Sequence, residues 1–321
     1  MDQRISSLKM ILFQLFLIIA GAALVLWGAD RLTEGSVALA ERMKVSQIVI
    51  GLTIVAMGTS APEFCVSLVS ALKGTADLAV GNVIGSNIFN TMLIVGVAAM
   101  VAPLTILPVT IRRDLPIALI ASVALTALVL FDHRLSRLDA SVLFVGFLAF
   151  MWLTLRGAKD TNEKEKPSTP MAAWKAIGLL ILGLACLVFG SNIFVDGATA
   201  IAQQLGVSEA VIGLTIVAGG TSLPELATSV VAARKGNSGI AIGNVLGSNV
   251  MNILLILGGT GLISPMTVNG ITAVDFAMLT GSMALLCLFS YTKLTVARWE
   301  GAVLTTLFLG YMTWLVMQAV A

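Results

Sequence analysis

About ten long apolar segments dominate the chain, and this feature restricts its fold more than any other. Most reach the roughly 20 apolar residues that a helix needs to cross the hydrocarbon core of a bilayer. They lack the alternation of barrel strands and exceed strand length, so their backbone polar groups must pair within helices. The predicted spans are residues 10–30, 45–72, 77–101, 114–131, 138–156, 172–194, 208–233, 240–263, 272–291 and 299–319.

Charged residues are too few to cover a water-soluble surface. Of 321 residues, 11% are charged and 58% are hydrophobic, whereas a soluble domain carries about a quarter charged residues. The sequence therefore predicts an all-α, polytopic membrane protein whose partner is the lipid bilayer. It indicates no nucleic acid, no obligate protein partner and no cofactor.

The basic residues are divided unequally between the two sides of the predicted spans. When loops are assigned to alternate sides, 5 of the 19 Lys and Arg residues fall on the side of the N-terminus and 14 on the other. Cytoplasmic loops carry the excess of positive charge. We therefore expect an integral plasma (inner) membrane protein with both termini outside and a cytoplasmic linker at residues 157–171.

The chain contains an internal duplication. A shift of 162 residues superposes residues 50–94 on residues 212–256 without a gap, and 27 of 45 positions are identical. The halves are therefore predicted at 1–156 and 172–321, joined by the charged linker 157–171. Five spans in each half make the two halves inverted relative to the membrane. Inverted repeats with a site near the midplane are typical of secondary transporters.

Each repeat carries two polar motifs inside its apolar segments. The first, G-T-S-x-P-E, spans Gly58–Glu63 and Gly220–Glu225. The second, G-N-x-x-G-S-N-x-x-N, spans Gly81–Asn90 and Gly243–Asn252. Polar groups at such depth require either partners in the protein or a bound ligand.

Proline in the first motif predicts a broken helix. Pro62 has no N–H and its ring crowds the carbonyl of Gly58, so the helix should break or kink near residues 56–61. The break is expected to leave carbonyls such as that of Ala56 without intrahelical partners. Together with hydroxyl groups these oxygens suit Na⁺ or Ca²⁺. The residues concerned are Thr59 and Ser60, and in the second repeat Ala218, Thr221 and Ser222.

Glu63 and Glu225 lie near the middle of their predicted spans. A charged side chain there costs about 2.5–3.5 kcal/mol on insertion scales, and no Lys or Arg occurs at comparable depth. Two facing carboxylates must share a proton or bind a cation. With the hydroxyls around them, they suit one divalent ion or several monovalent ions in its place.

The second motif adds further oxygens on the following span of each repeat. Ser86 and Asn90, like Ser248 and Asn252, are four residues apart and share a helical face. The glycines of the motif allow close approach of neighbouring helices. Contacts between helices are an equally good interpretation of the other motif asparagines, which are Asn82, Asn87, Asn244 and Asn249.

The two duplicated motifs resemble the α-repeats of the calcium/cation antiporter superfamily, specifically those of prokaryotic sodium/calcium exchangers. The resemblance implies ten helices in two inverted five-helix halves. It also implies that the first and sixth helices slide as a gate across a core of the second, third, seventh and eighth. Ca²⁺ would move against Na⁺, and both ions would be substrates rather than cofactors.

Matched by position, the resemblance implies a set of ion ligands. Glu63 and Glu225 would be the principal Ca²⁺ ligands, and Thr59 and Thr221 would contribute at the same site. The Na⁺ sites would be completed by Ser60, Ser86, Ser222, Ser248 and the carbonyls of Ala56 and Ala218. Asn90 and Asn252 stand where some relatives have Asp in one repeat, which leaves two central carboxylates.

The predicted function is Na⁺/Ca²⁺ exchange by alternating access, with no enzyme activity. A proton-coupled cation antiporter is the alternative, because a buried glutamate can hold a proton. A cation channel is a further hypothesis, although nothing in the chain resembles a selectivity filter. An intramembrane enzyme has less support, since no H-E-x-x-H motif occurs and the single histidine, His133, is in a loop.

Overall fold

The computed structural model describes residues 2–157, 171–206, 216 and 218–320. Residues 158–170 of the predicted linker, and residues 212–215 and 217 of the second repeat, lie outside this part. The described residues form ten helices, two of them in two parts: α1 (Asp2–Met43), α2 (Gln47–Thr59 and Ala61–Leu72), α3 (Ala76–Val101), α4 (Thr110–Asp114 continuing as Leu115–Val129), α5 (Arg137–Gly157), α6 (Ala173–Gln204), α7 (Ala218–Thr221 and Leu223–Arg234), α8 (Ser238–Ile263), α9 (Ala273–Lys293) and α10 (Arg298–Val320).

Seven of the described helices are long and apolar enough to cross a membrane, and α2 makes eight when its two parts count as one. The predicted span 114–131 corresponds to α4, whose α-helical part has only 15 residues. The predicted span 208–233 corresponds to α7, and residues just before α7 lie outside the described part. The prediction of an all-α polytopic membrane protein is confirmed.

The core of the molecule is α8, which is buried at every residue from 240 to 250. It packs against α2, α3, α5 and α7. Large apolar side chains point outward instead, among them Phe16 and Ile19 on α1 and Trp152 on α5. This distribution places polar motif residues inside and apolar residues toward lipid, as a membrane solvent requires.

Within the described residues, three core helices contain π-helical turns. These turns are Gly51–Val55 in α2, Phe89–Ile94 in α3 and Met251–Leu257 in α8. A π turn accommodates an extra residue and occurs often at functional sites. The turns in α3 and α8 are equivalent in the two repeats, and each contains the last asparagine of the second motif.

Two short antiparallel strand pairs join the halves. β1 (Leu104–Thr105) pairs with β4 (Thr295–Val296), and β2 (Arg134–Leu135) pairs with β3 (Met266–Thr267). β1 is equivalent to β3 at the offset of 162 residues, and β2 is equivalent to β4 at an offset of 161. Each pair is therefore the counterpart of the other, as a two-fold relation between repeats produces.

Helices α1 and α6 pack together along a seam of glycines. The glycines recur every seven residues and are equivalent in the two halves. A Cβ added at Gly28 would lie 2.9 Å from the carbonyl oxygen of Gly183, and one added at Gly190 would lie 3.0 Å from that of Gly21. Such close backbone approach stabilises helix pairs in lipid, where hydrophobic burial offers little. The seam consists of Gly21, Gly28, Gly35, Gly183, Gly190 and Gly197.

The two outer helices cover the core unequally. α1 packs along the second part of α7, whereas the equivalent contact of α6 with the second part of α2 is nearly absent among the described residues. As a result, Phe64 and Val69 on α2 are 38% and 47% exposed, while their equivalents Leu226 and Val231 are partly buried. One end of the core is therefore covered and the other is more open.

Candidate functional site

The first motif ends one helical segment and begins the next. The two parts of α2 meet at 49°, and Ser60 at the break has φ −83° and ψ 8°. Pro62 is the second residue of the new segment, where its missing N–H is not required. In α7, Ser222 has φ −91° and ψ 5°, and Pro224 takes the equivalent place. The predicted break near residues 56–61 is confirmed.

The expectation that the break leaves the Ala56 carbonyl without an intrahelical partner is wrong. This carbonyl accepts the Ser60 N–H at 3.0 Å, because the helix completes its last turn before it bends. A carbonyl oxygen has a second lone pair, so Ala56 stays a predicted ligand. Ala218 begins the equivalent segment of α7.

The two glutamates are buried and each accepts a hydrogen bond from the opposite repeat. Glu63 and Glu225 are each 1% exposed and lie in the first turn of their helical segments, where the helix dipole favours a negative charge. The Ser60 hydroxyl donates to Glu225 Oε1 at 3.0 Å, and the Ser222 hydroxyl donates to Glu63 Oε1 at 3.1 Å. The motifs therefore form one site rather than two.

Other predicted hydroxyls surround the same carboxylates. The Thr59 hydroxyl is buried beside the Glu225 carboxylate, and Thr221 lies beside that of Glu63. Ser222 Oγ also lies 3.4 Å from Ser86 Oγ. The reciprocal arrangement gives each carboxylate two hydroxyl neighbours from the opposite repeat.

Five buried oxygens of predicted site residues have no hydrogen-bond partner among the described residues. A buried oxygen without a donor costs about 1–3 kcal/mol, and more when it is charged. Carboxylate, amide and hydroxyl oxygens are the ligands that hard cations prefer, so the donor set fits Na⁺ or Ca²⁺. These atoms are Glu63 Oε2, Glu225 Oε2, Asn90 Oδ1, Asn252 Oδ1 and Ser248 Oγ.

The π turns of α3 and α8 place Asn90 and Asn252 next to the helical segments that bear the glutamates. The π turn with Asn90 packs against the segment of α7 that bears Glu225, and the π turn with Asn252 packs against the segment of α2 that bears Glu63. Among the described residues, no group of three or more His, Cys, Asp or Glu could hold a metal. The acidic charge of the site is therefore that of two carboxylates.

Ser67 and Ser229 are part of the site's support but are absent from the predicted ligands. Asn82 Nδ2 donates to the Glu63 carbonyl at 3.2 Å and to Ser67 Oγ at 2.9 Å. Asn244 Nδ2 donates to the Glu225 carbonyl at 3.3 Å and to Ser229 Oγ at 3.0 Å. The available signal was an identical serine in both repeats, four residues after each glutamate and on the same helical face.

Comparisons with known proteins agree with this geometry. The profile of the family described as sodium/calcium exchanger protein matches residues 13–156 and again residues 175–317. The chain is 32% identical over 345 residues to sodium/calcium exchanger MaX1 of Methanosarcina acetivorans, covering 94% of this chain and 98% of the relative. It is 40% identical over 261 residues to inner membrane protein YrbG of Escherichia coli, covering 78% and 79%.

A solved structure has the same fold. The sodium-calcium exchanger NCX_Mj, soaked with 10 mM Na⁺ and 10 mM Sr²⁺, superposes with a TM-score of 0.83 at 31% sequence identity. The alignment covers 94% of this chain and 98% of that one. The similarity therefore extends over both repeats and the core helices that hold the two motifs.

Proposed function

Because the chain belongs to the sodium/calcium exchanger protein family, we propose that it exchanges Ca²⁺ for Na⁺ across the membrane, with the ions bound between Glu63 and Glu225. The observation that carries this function is the pair of buried carboxylates, each with one oxygen that receives no hydrogen bond from the described residues. Two negative charges balance one Ca²⁺ or two Na⁺. The ions therefore compete for the same charge, which is what exchange at a shared site requires.

The ligands follow from the oxygens around the glutamates. We propose that Thr59 and Thr221 complete the Ca²⁺ site together with the two carboxylates. The Na⁺ sites are proposed to be completed by Ser60, Ser86, Ser222, Ser248 and the carbonyls of Ala56 and Ala218, and the four serine side chains are buried. The amide oxygens of Asn90 and Asn252 have no donor among the described residues, and we propose that they face either ion.

Alternating access is proposed to result from movement of α1 and α6 over the core. The unequal cover of the two ends of the core supports this, since α1 packs on α7 while α6 contacts the second part of α2 little. With the termini outside and the linker at 157–171 cytoplasmic, the covered end is cytoplasmic. The halves 1–156 and 172–321 would exchange these arrangements when the gate moves.

A proton-coupled antiporter is the second candidate. The observation that favours it is that the salt bridges of the described residues leave Glu63 and Glu225 without a basic partner. Two such carboxylates can be neutralised by protons as well as by Na⁺. The two candidates share the site and differ in the driving ion.

Flux into vesicles reconstituted with the full chain tests both candidates. Vesicles loaded with Na⁺ are expected to accumulate Ca²⁺ when diluted into Na⁺-free medium, and uptake should saturate with Ca²⁺. A pH gradient in the absence of Na⁺ is expected to drive none, and added K⁺ to change nothing. Ca²⁺ uptake that follows the pH gradient would support the proton-coupled antiporter instead, and uncoupled Ca²⁺ passage would indicate a channel.

A further inference from the structure

Four asparagines of the second motif are linked in pairs across the two repeats. Asn252 Nδ2 donates to Asn87 Oδ1 at 3.0 Å, and Asn90 Nδ2 donates to Asn249 Oδ1 at 3.1 Å. All four side chains are buried. Because Asn90 is equivalent to Asn252 and Asn87 to Asn249, the two hydrogen bonds are counterparts.

A side-chain amide has a donating end and an accepting end, and only one of them suits a cation. An amide carbonyl can bind the ion, whereas an NH₂ group would repel it and donate to the carboxylates instead. In Asn90 and Asn252 the NH₂ group is bound by the partner asparagine, and the carbonyl oxygen has no donor in the described part of the chain. The partner therefore decides which end is left for the site.

The partner asparagines are themselves held in one orientation. Asn249 Nδ2 donates to Thr91 Oγ1 at 2.7 Å. Asn87 Nδ2 donates to the Asn249 backbone carbonyl at 3.2 Å. With their NH₂ groups bound in this way, Asn87 and Asn249 can offer only their Oδ1 atoms to the neighbouring amides.

We propose that Asn87 and Asn249 are positioning residues that determine the amide orientation of Asn252 and Asn90. They hold these two amides so that carbonyl oxygens, not NH₂ groups, face a cation bound between the glutamates. This inference rests on the proposed function and deepens it. It assigns to Asn87 and Asn249 a role in ion affinity that simple contact between helices would not have.

A double-mutant cycle tests the pairing. Asn87→Ala removes the acceptor for the Asn252 amide, and we expect the KM for Ca²⁺ to rise about tenfold, within the coupling found between contacting residues. Asn252→Asp supplies a carboxylate, which has no donating end to misorient. In the Asn252→Asp background, Asn87→Ala should therefore raise the KM by less than about threefold, because it removes only an oxygen that faces the new carboxylate.

The second repeat provides the matched arm. In the otherwise unchanged chain, Asn249→Ala should raise the KM for Ca²⁺. In the Asn90→Asp background, the same substitution should raise this KM much less. Asn87→Ala should keep its full effect in the Asn90→Asp background, because Asn90 is held by Asn249. Should one alanine variant fail to give monodisperse protein, the other arm still decides the question.

Two results would overturn the inference. One is an equal rise in KM from Asn87→Ala in all three backgrounds, which is what a general packing defect gives. The other is an unchanged KM for Ca²⁺ in both alanine variants. Failure of the proposed function has a different signature, since the unchanged chain would then show no Na⁺-driven Ca²⁺ uptake, or Glu63→Gln and Glu225→Gln would keep it.

Discussion

At the scale of single residues, the site depends on negative charge in a place where charge is expensive. Glu63 and Glu225 lie in the first helical turn after a break, and the serine of the opposite motif binds one oxygen of each. Those hydroxyls are neutral and cannot balance the carboxylate charge. A bound cation can, so the glutamates should be essential to exchange and dispensable for insertion.

Replacement by glutamine tests this expectation directly. Glu63→Gln keeps the shape of the side chain but removes its charge and adds an NH₂ donor. We expect Na⁺-driven Ca²⁺ uptake to fall at least about a hundredfold, which corresponds to about 2.8 kcal/mol of lost ion or transition-state binding. Glu225→Gln should behave alike.

A buried glutamate outside the site provides the control. Glu300 is 3% exposed and accepts the Ala297 N–H at the start of α10 with Oε2 at 2.7 Å. Glu300→Gln should cost about 1 kcal/mol of stability or less and leave uptake intact. Normal uptake by either site variant would remove the glutamates from the mechanism.

At the scale of helices, the glycine seam determines how closely α1 and α6 approach. Residues at the seam contact the backbone of the opposite helix, so they cannot give way as a flexible side chain could. We expect the two helices to move as one unit if they move at all. In the proposed mechanism, this packing would let the two helices act as one gate.

Alanine substitutions should have opposite effects on and off the seam. A Cβ at Gly28 on α1 would lie 2.8 Å from Cys186 Cβ and 3.0 Å from Leu187 N, whereas one at Gly178 on α6 meets no described atom within 4 Å. Gly28→Ala should lower the thermal midpoint of the purified protein by several degrees, as overpacking costs about 1–3 kcal/mol. Gly178→Ala should raise stability by up to about 1 kcal/mol, the difference in helix propensity. Equal midpoints for the two variants would show that the seam does not limit the approach.

At the scale of the whole molecule, the two similar repeats have different surroundings. α1 is joined to the end of α7 by the ion pair of Asp30 with Lys235, whose atoms Oδ1 and Nζ are 2.5 Å apart. The equivalents of these residues are Asn192 and Lys73, so the carboxylate is missing from the second copy. Partly exposed ion pairs contribute only about 0–1 kcal/mol, and this one biases the arrangement rather than locking it.

Inversion of the repeats makes a prediction about the two lysines that end α2 and α7. Lys73 and Lys235 are equivalent and exposed, yet inverted halves place them on opposite sides of the membrane. With Cys65, Cys186 and Cys287 replaced by alanine, Lys73→Cys should react with an impermeant maleimide added to intact cells. Lys235→Cys should react only after the membrane is permeabilised. Labelling of both cysteines in intact cells would contradict the inversion of the repeats. Labelling of Lys235→Cys but not Lys73→Cys in intact cells would contradict only the predicted orientation, with both termini outside.

The sequence alone determined the class of the protein, its duplication and the residues of the candidate site. Apolar segment length, the shift of 162 residues and the two motifs are local or periodic properties, so they can be read along the chain. The break at Ser60 could also be predicted from Pro62 alone, because a proline without an N–H disturbs the helix that contains it.

Only the tertiary structure decided which groups pair across the repeats. It shows that the Ser60 hydroxyl donates to Glu225 of the opposite repeat and that the Ser60 N–H donates to the Ala56 carbonyl. It also shows that the side-chain carbonyl oxygens of Asn90 and Asn252 accept no hydrogen bond from the described residues. It also shows that α1 and α6 cover the two ends of the core unequally. The physical reason is that a hydrogen bond depends on distance and direction between groups far apart in sequence, and packing of the two halves sets both.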